Sequence, residues 1–413
     1  MKIKSATTAA LIALGLISQA SADNVVYLTG STAFRSTVYN VLSGTNVFDT
    51  APTLVSRKGA GGSASYMLFH GDINGTPTYI NCVWSGSEAG IASAANVTID
   101  NDGNPLPGSP ATWLKADGSV TGNATTDPAP GELEATSHGA DLAMADTSQA
   151  VSLTPKVANT STDLKDYGTV GIVTFVWVKN INSSPSAEWN ALTNVSIPQL
   201  NSLISAGYQP AAFFTGNAAL TNNNVYLVGR NKGSGTRANT LADTLYGTTR
   251  SVQQFSIGGG VSTPTDGTLT LAYEGNNGYE SGGGVAGALK VDGSCGQADP
   301  FFAGKPGWLA IGYLGIGDAG GTLANNWLTL DGTAESDGAI EEGRYSFWGH
   351  EHVFGKQNIS GFPDTVGAKL HDGIITSLET TGAGSNPAAH SGAIAVKYMH
   401  CDKASDVAFP TRN

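Results

Sequence analysis

Three times along this chain a short apolar run breaks into a turn of glycine and hydroxyl residues, and helical spacing follows at once. Residues 25–28 lead through Thr29-Gly30-Ser31-Thr32 to a pattern that sets Phe34, Val38, Val41 and Leu42 on one face. Residues 78–84 lead through Ser85-Gly86-Ser87 toward Ile91. Residues 225–228 lead through Gly229-Arg230-Asn231-Lys232-Gly233-Ser234-Gly235-Thr236-Arg237 to a helix over 238–246, with Leu241 and Leu245 four apart. Further strands are expected at 139–146, 167–179, 308–316 and 345–354, and further helices at 196–206, 285–289 and 367–378. Strands alternating with helices predict an α/β architecture. No repeat of fixed period is visible.

The third turn has the chemistry of an oxyanion receptor. The first-turn N–H groups of a helix lack partners within it, and the helix dipole favours negative charge there. Ser234 and Thr236 add hydroxyl donors, and Arg230 adds a charged fork.

The first 22 residues read as an export leader. Lys2 and Lys4 form a basic start, 9–17 an apolar centre, and Ala20-Ser21-Ala22 a small-residue cleavage site. No Cys follows that site, and no later run approaches the ~20 apolar residues of a membrane helix. The expected mature chain of about 390 residues suggests two domains and a periplasmic or secreted location. Its formal charge of −12 becomes −14 once Lys2 and Lys4 are removed, which disfavours nucleic acid and anionic membranes as partners. A small anion held by local dipoles is not disfavoured. The 54 glycines and 13% charged residues indicate many turns. Cys82, Cys295 and Cys401 allow one disulfide with one thiol left over, and spacing does not choose the pair.

With these units in order, the chain resembles the phosphate-binding proteins that serve bacterial phosphate importers, within the type 2 periplasmic substrate-binding superfamily. The likeness is carried by Gly30-Ser31-Thr32, Trp84-Ser85-Gly86-Ser87, Met144-Ala145-Asp146, the 230–236 run and Gly312-Tyr313. It implies two lobes closing on an interlobe cleft: 23–168 plus 322–413, and 169–321, with a β-rich surface insert near 98–136. It implies an anion surrounded by Thr32, the Ala33 backbone, Ser87, Asp146, Arg230, Ser234, Gly235 and Thr236, and an ABC-type permease as partner. Asp146 favours phosphate over sulfate, because a fixed carboxylate accepts a proton from hydrogen phosphate and repels an ion that has none. Two features depart from the family pattern. Lys232 stands where an Asp is usual, which either widens the site toward organic phosphates or points to solvent. The insert lengthens the path from Ser87 to Asp146.

No catalytic residue, cofactor or metal is expected. Walker A, Gly-x-Ser-x-Gly and His-Glu-x-x-His patterns are absent from the sequence. His350 and His352 supply only two metal ligands on one strand face, and Asp100-Asn101-Asp102-Gly103-Asn104 reads as a turn, with Pro105 where a calcium loop needs Gly. Trp84, Trp177, Trp189 and Trp308 read as core. Two rival functions stay open: a binding fold reused as an extracellular surface or matrix component, and a phosphate-ester hydrolase.

Overall fold

The computed structural model describes residues 23–100, 103–220, 223–258, 271–293, 309–381 and 393–412. The leader at 1–22, Cys295 and Trp308 lie outside them. The first apolar run extends as β1 (Asn24–Gly30), and its turn feeds α1 (Arg35–Leu42), which buries Val38, Val41 and Leu42 as their spacing predicts. A meander follows: β2 (Thr53–Arg57) and β3 (Tyr66–Ile73), both missed by the sequence reading, and β4 (Thr76–Val83), the apolar run expected at 78–84. Asn74-Gly75 joins the last two, a favoured two-residue hairpin pair. Next come α2 (Ser87–Ala94), the long excursion, β5 (Leu142–Ala145) and the fifteen-residue β6 (Lys165–Lys179). After them lie α3 (Ala187–Ala191), β7 (Asn194–Val195), α4 (Ile197–Ala206), β8 (Tyr208–Pro210) and α5 (Ala211–Thr215). The third strand–turn–helix unit is β9 (Asn224–Val228) and α6 (Gly235–Asp243), followed by β10 (Phe255–Ile257) and β11 (Leu271–Tyr273). α7 (Gly282–Leu289), β12 (Leu309–Gly315), α8 (Ile316–Ala319) and β13 (Thr329–Leu330) come next. The chain goes on through α9 (Asp337–Glu341), β14 (Trp348–Gly355), α10 (Gly361–Thr381), β15 (Ala393–Ile394), β16 (Cys401–Asp402) and β17 (Thr411–Arg412).

The chain is thus an α/β protein. Among the described residues thirteen strands share one mixed sheet, in the order β11-β10-β9-β12-β6-β14-β5-β1-β4-β3-β2, with β15 on β6 and β8 on β9. β1 runs parallel to β4 and β5, and β9 parallel to β12. β6 belongs to both halves of the sheet. Up to Thr174 it pairs with β14, and from Phe175 to Lys179 with β12. It is buried from Val170 onward, which is why its apolar run does not alternate. The division expected between 168 and 169 falls inside this strand. One core cluster runs from Val26 and Leu28 through Phe175 and Trp177 to Leu227 and Ile311, and a second packs Val176, Tyr226 and Val228 beneath Val285 and Leu289 of α7.

The excursion at 98–136 is not β-rich. Its described residues make only isolated bridges, such as Ile99 with Pro105 and Leu114 with Leu133, and one short 3-10 turn at Pro130–Glu132. Pro105, Pro107 and Pro110 remove ladder donors, so the segment cannot pair continuously. It holds to the sheet instead by side chains. Leu114 and Val120 pack on Leu68 and Tyr79, and Trp113 packs with Val83 and Ala140. Cys82 and Cys401 are both buried free thiols.

Candidate functional site

The turns after β1, β4, β5 and β9 meet one another. Gly86 N–H donates to Gly30 O at 2.9 Å, Ser31 N–H to Met144 O at 2.9 Å, and Ala89 N–H, in the first turn of α2, to Gly233 O at 3.1 Å. Gly86 has φ +106°, and a Cβ there would collide with Gly233 O. The start of α6 presses directly on the start of α2 and the end of β5: a Cβ on Gly235 would collide with Asp146 Oδ1 and the Ser87 hydroxyl. Only glycine permits that approach. Ser87 Oγ accepts the Asp146 N–H at 3.2 Å, and Asn239 Nδ2 donates to Asp146 O at 2.7 Å and Gly235 O at 3.2 Å. Ser87, Asp146 and Gly235 therefore lie together, although 59 and 89 residues separate them along the chain.

Ser234 is the N-cap of α6, its Oγ accepting the Arg237 N–H at 3.2 Å, so its own proton is free to donate. The Thr236 side chain is buried and hydrogen-bonds to none of the described residues. Arg230 is buried at 2% exposure. Its Nε donates to Tyr279 O at 3.2 Å and its Nη2 to Glu280 O at 3.0 Å, while its N–H donates to the Tyr313 hydroxyl at 3.0 Å. Its guanidinium thus meets carbonyls and forms no ion pair among the described residues. Burial lowers its pKa, and Asp318, Tyr313 and Asp146 oppose that. Arg237 is a second buried guanidinium held by carbonyls, those of Arg230 and Asn276.

The acids at the site are forced toward neutrality. Burial pushes Asp146 up to about 6, while Ser87 and the charge of Arg230 hold it lower than burial alone would. Its Oδ1 is buried and has no hydrogen-bond partner. Glu351 of β14 is fully buried, with both carboxyl oxygens unpartnered. Burial first and the Asp146 charge second raise its pKa well above the ordinary range. The Ser31 hydroxyl lies near enough to temper this, without a well-formed hydrogen bond. Asp318 is raised by burial and lowered by the nearby Arg35 and Arg230. Three guanidiniums, those of Arg35, Arg230 and Arg237, stand against the carboxyls of Asp146, Asp318 and Glu351, the last raised well above its ordinary value by burial.

The expected set does not converge completely. Ala33 lies against Gly315 at the end of β12. Thr32 sits in the turn ahead of α1 rather than at its cap. The N-cap is Phe34, without a side-chain cap bond; Ser31 Oγ receives the Phe34 N–H at 3.3 Å, and the half-buried Thr32 bonds to none of the described residues. Lys232 is neither at the anion point nor in open solvent, because Asp100 of the excursion pairs with it. His350 and His352 pair with Asp402 and Asp166 at 3.0 and 3.4 Å, and no metal-ligating cluster occurs among the described residues. Sequence reasoning missed Glu351, Arg35 and Asp318. The signal for Glu351 was present: it alternates onto the same strand face as Gly349 and Val353, where an acid is out of place.

No family model matches this chain, and no curated protein matches its sequence. Three solved structures are similar. A putative phosphate ABC transporter substrate-binding protein from Clostridium perfringens, with bound phosphate, is 13% identical over 90% of this chain and 100% of its own, at TM-score 0.46. PstS from Borrelia burgdorferi is 12% identical over 90% and 99%, at TM-score 0.38. An ABC-type phosphate transport receptor from Vibrio cholerae is 12% identical over 89% and 99%, at TM-score 0.39. Likeness at this level carries no ligand across; what the site can hold follows from its own residues.

Proposed function

We propose that this chain is an exported binding protein for a tetrahedral oxyanion, phosphate foremost, held non-covalently where the two half-sheets meet. The observation that carries this reading is a buried Arg230 with no carboxylate partner, set among the helix starts that also bury Asp146. A buried cation without an ion-pair partner is unfavourable, and an anion would relieve it. Thr236, Ser234 and Ser87 supply hydroxyl protons, and Asp146 Oδ1 supplies an acceptor that nothing in the protein satisfies. A protonated phosphate answers both needs. Sulfate at neutral pH answers only the first.

The Gly235–Asp146 contact fills the convergence point, so ligand capture involves the two half-sheets parting and closing again about β6. Closure sets hydrogen bonds in a low-dielectric site, where each is stronger. An ABC-type permease is the partner the sequence resemblance implies, and no described helix is long and apolar enough to cross a membrane. Binding rather than hydrolysis is favoured because Ser87 and Ser234 each accept a backbone N–H, and among the described residues neither is hydrogen-bonded to a histidine.

Calorimetric titration tests the reading. At pH 7.5 phosphate should bind one per chain, and sulfate at least about 100-fold more weakly, a difference of ~2.7 kcal/mol. Asp146→Asn should admit sulfate. If the variant binds phosphate yet still rejects sulfate, the carboxylate is not the filter.

A further inference from the structure

Beside the anion point lies a cavity of about 360 Å³, within the usual size range of small-molecule sites. Its inner wall is built from residues one or two positions from the anion set: Ser85 precedes Gly86-Ser87, and Asn231 follows Arg230. Glu280, whose carbonyl holds Arg230, and Ser281, the cap of α7, form another side. Tyr66 and Trp84 give aromatic surface. The outer wall comes from the excursion, through Pro107 to Thr112. The Pro107 carbonyl lies over Gly233, Gly108 packs on Ser85, and the Asp100–Lys232 pair fastens the excursion to the oxyanion turn.

Free phosphate needs no such annex. We propose that the physiological ligand is a phosphomonoester of a neutral polyol, a sugar phosphate, with its phosphoryl group at the anion point and its sugar in this cavity. The proposal rests on the oxyanion reading above and narrows it. The walls argue for a neutral substituent: they carry one cation and one anion, and the cation, Lys58, is already paired with Asp127 at 3.3 Å. Hydroxyl, amide and carboxylate groups around aromatic rings match the alternating hydroxyl and C–H faces of a sugar. The phosphoryl end also fits, since a phosphomonoester loses its second proton near pH 6 and can share it with Asp146. The excursion is then the device that turns a phosphate site into an ester site.

The test is competition on the full chain at pH 7.5. Inorganic phosphate and glucose 6-phosphate are each titrated calorimetrically against wild type and Thr112→Trp. Thr112 lines the cavity and is half-buried at its rim, away from the anion set. Wild type should bind the ester at least tenfold more tightly than phosphate, and Thr112→Trp should remove that advantage while leaving phosphate affinity within about twofold. Phosphate bound tightly with the ester no tighter overturns this inference and leaves the oxyanion reading standing. Neither ligand binding at millimolar concentration overturns both. The wild-type comparison decides even if the variant fails to fold.

Discussion

Asp146, Glu88 and Glu351 are carboxyls that the fold makes reluctant to ionise. Glu88 reaches about 7 through burial, despite donors from Leu153 N–H, Ser152 and Thr147, and Asp146 reaches about 6. Glu351 is likewise raised well above its ordinary value, by burial first and the Asp146 charge second. A group whose folded pKa is raised adds stability that is fully present below its unfolded value, near 4, and is lost as pH rises through the folded value. The ligand-free chain should therefore be more stable at pH 5 than at pH 8, by on the order of a few kcal/mol. His350 and Lys179, both held below their ordinary values by burial, work in the opposite direction. Urea unfolding at both pH values, repeated on Glu351→Gln, measures this. The variant should show a shallower slope, and wild-type stability rising from pH 5 to 8 would contradict the assignment of these acids.

At the scale of elements, the contact between the start of α6 and the end of β5 decides the site. Gly235→Ala places a methyl against Asp146 Oδ1 and Ser87 Oγ. It should cost about 1–3 kcal/mol of stability by overpacking, and it should weaken phosphate by at least tenfold, read by thermal unfolding and calorimetry. Unchanged affinity would mean that the contact is not part of the site. The strand–turn–helix units were legible because local chemistry writes them: an apolar run, a glycine bend, a capping Ser and a helical face. The β2–β3 pair was passed over because its alternation is weak: Thr53 is exposed, and Leu54 and Val55 are only partly buried. Ser87, Asp146 and Gly235 were legible as types. Their meeting was not, because it depends on long-range packing. The partner of Lys232 was hidden for the same reason: Asp100 lies 132 residues away in a segment that gives no periodic signal.

At the scale of the molecule, β6 is, among the described residues, the one strand that pairs with both half-sheets, through β14 up to Thr174 and β12 beyond it. That arrangement sets the turns after β1, β4, β5 and β9 around a common point and leaves the excursion to wall it. The central claim is that this point is an oxyanion receptor. A crystal structure with arsenate, located by its anomalous signal, tests it most directly. The account predicts one arsenic position per chain, within hydrogen-bond reach of the Thr236 hydroxyl, the Arg230 guanidinium and Asp146. Arsenic found elsewhere, or absent from crystals soaked at millimolar arsenate, would contradict it.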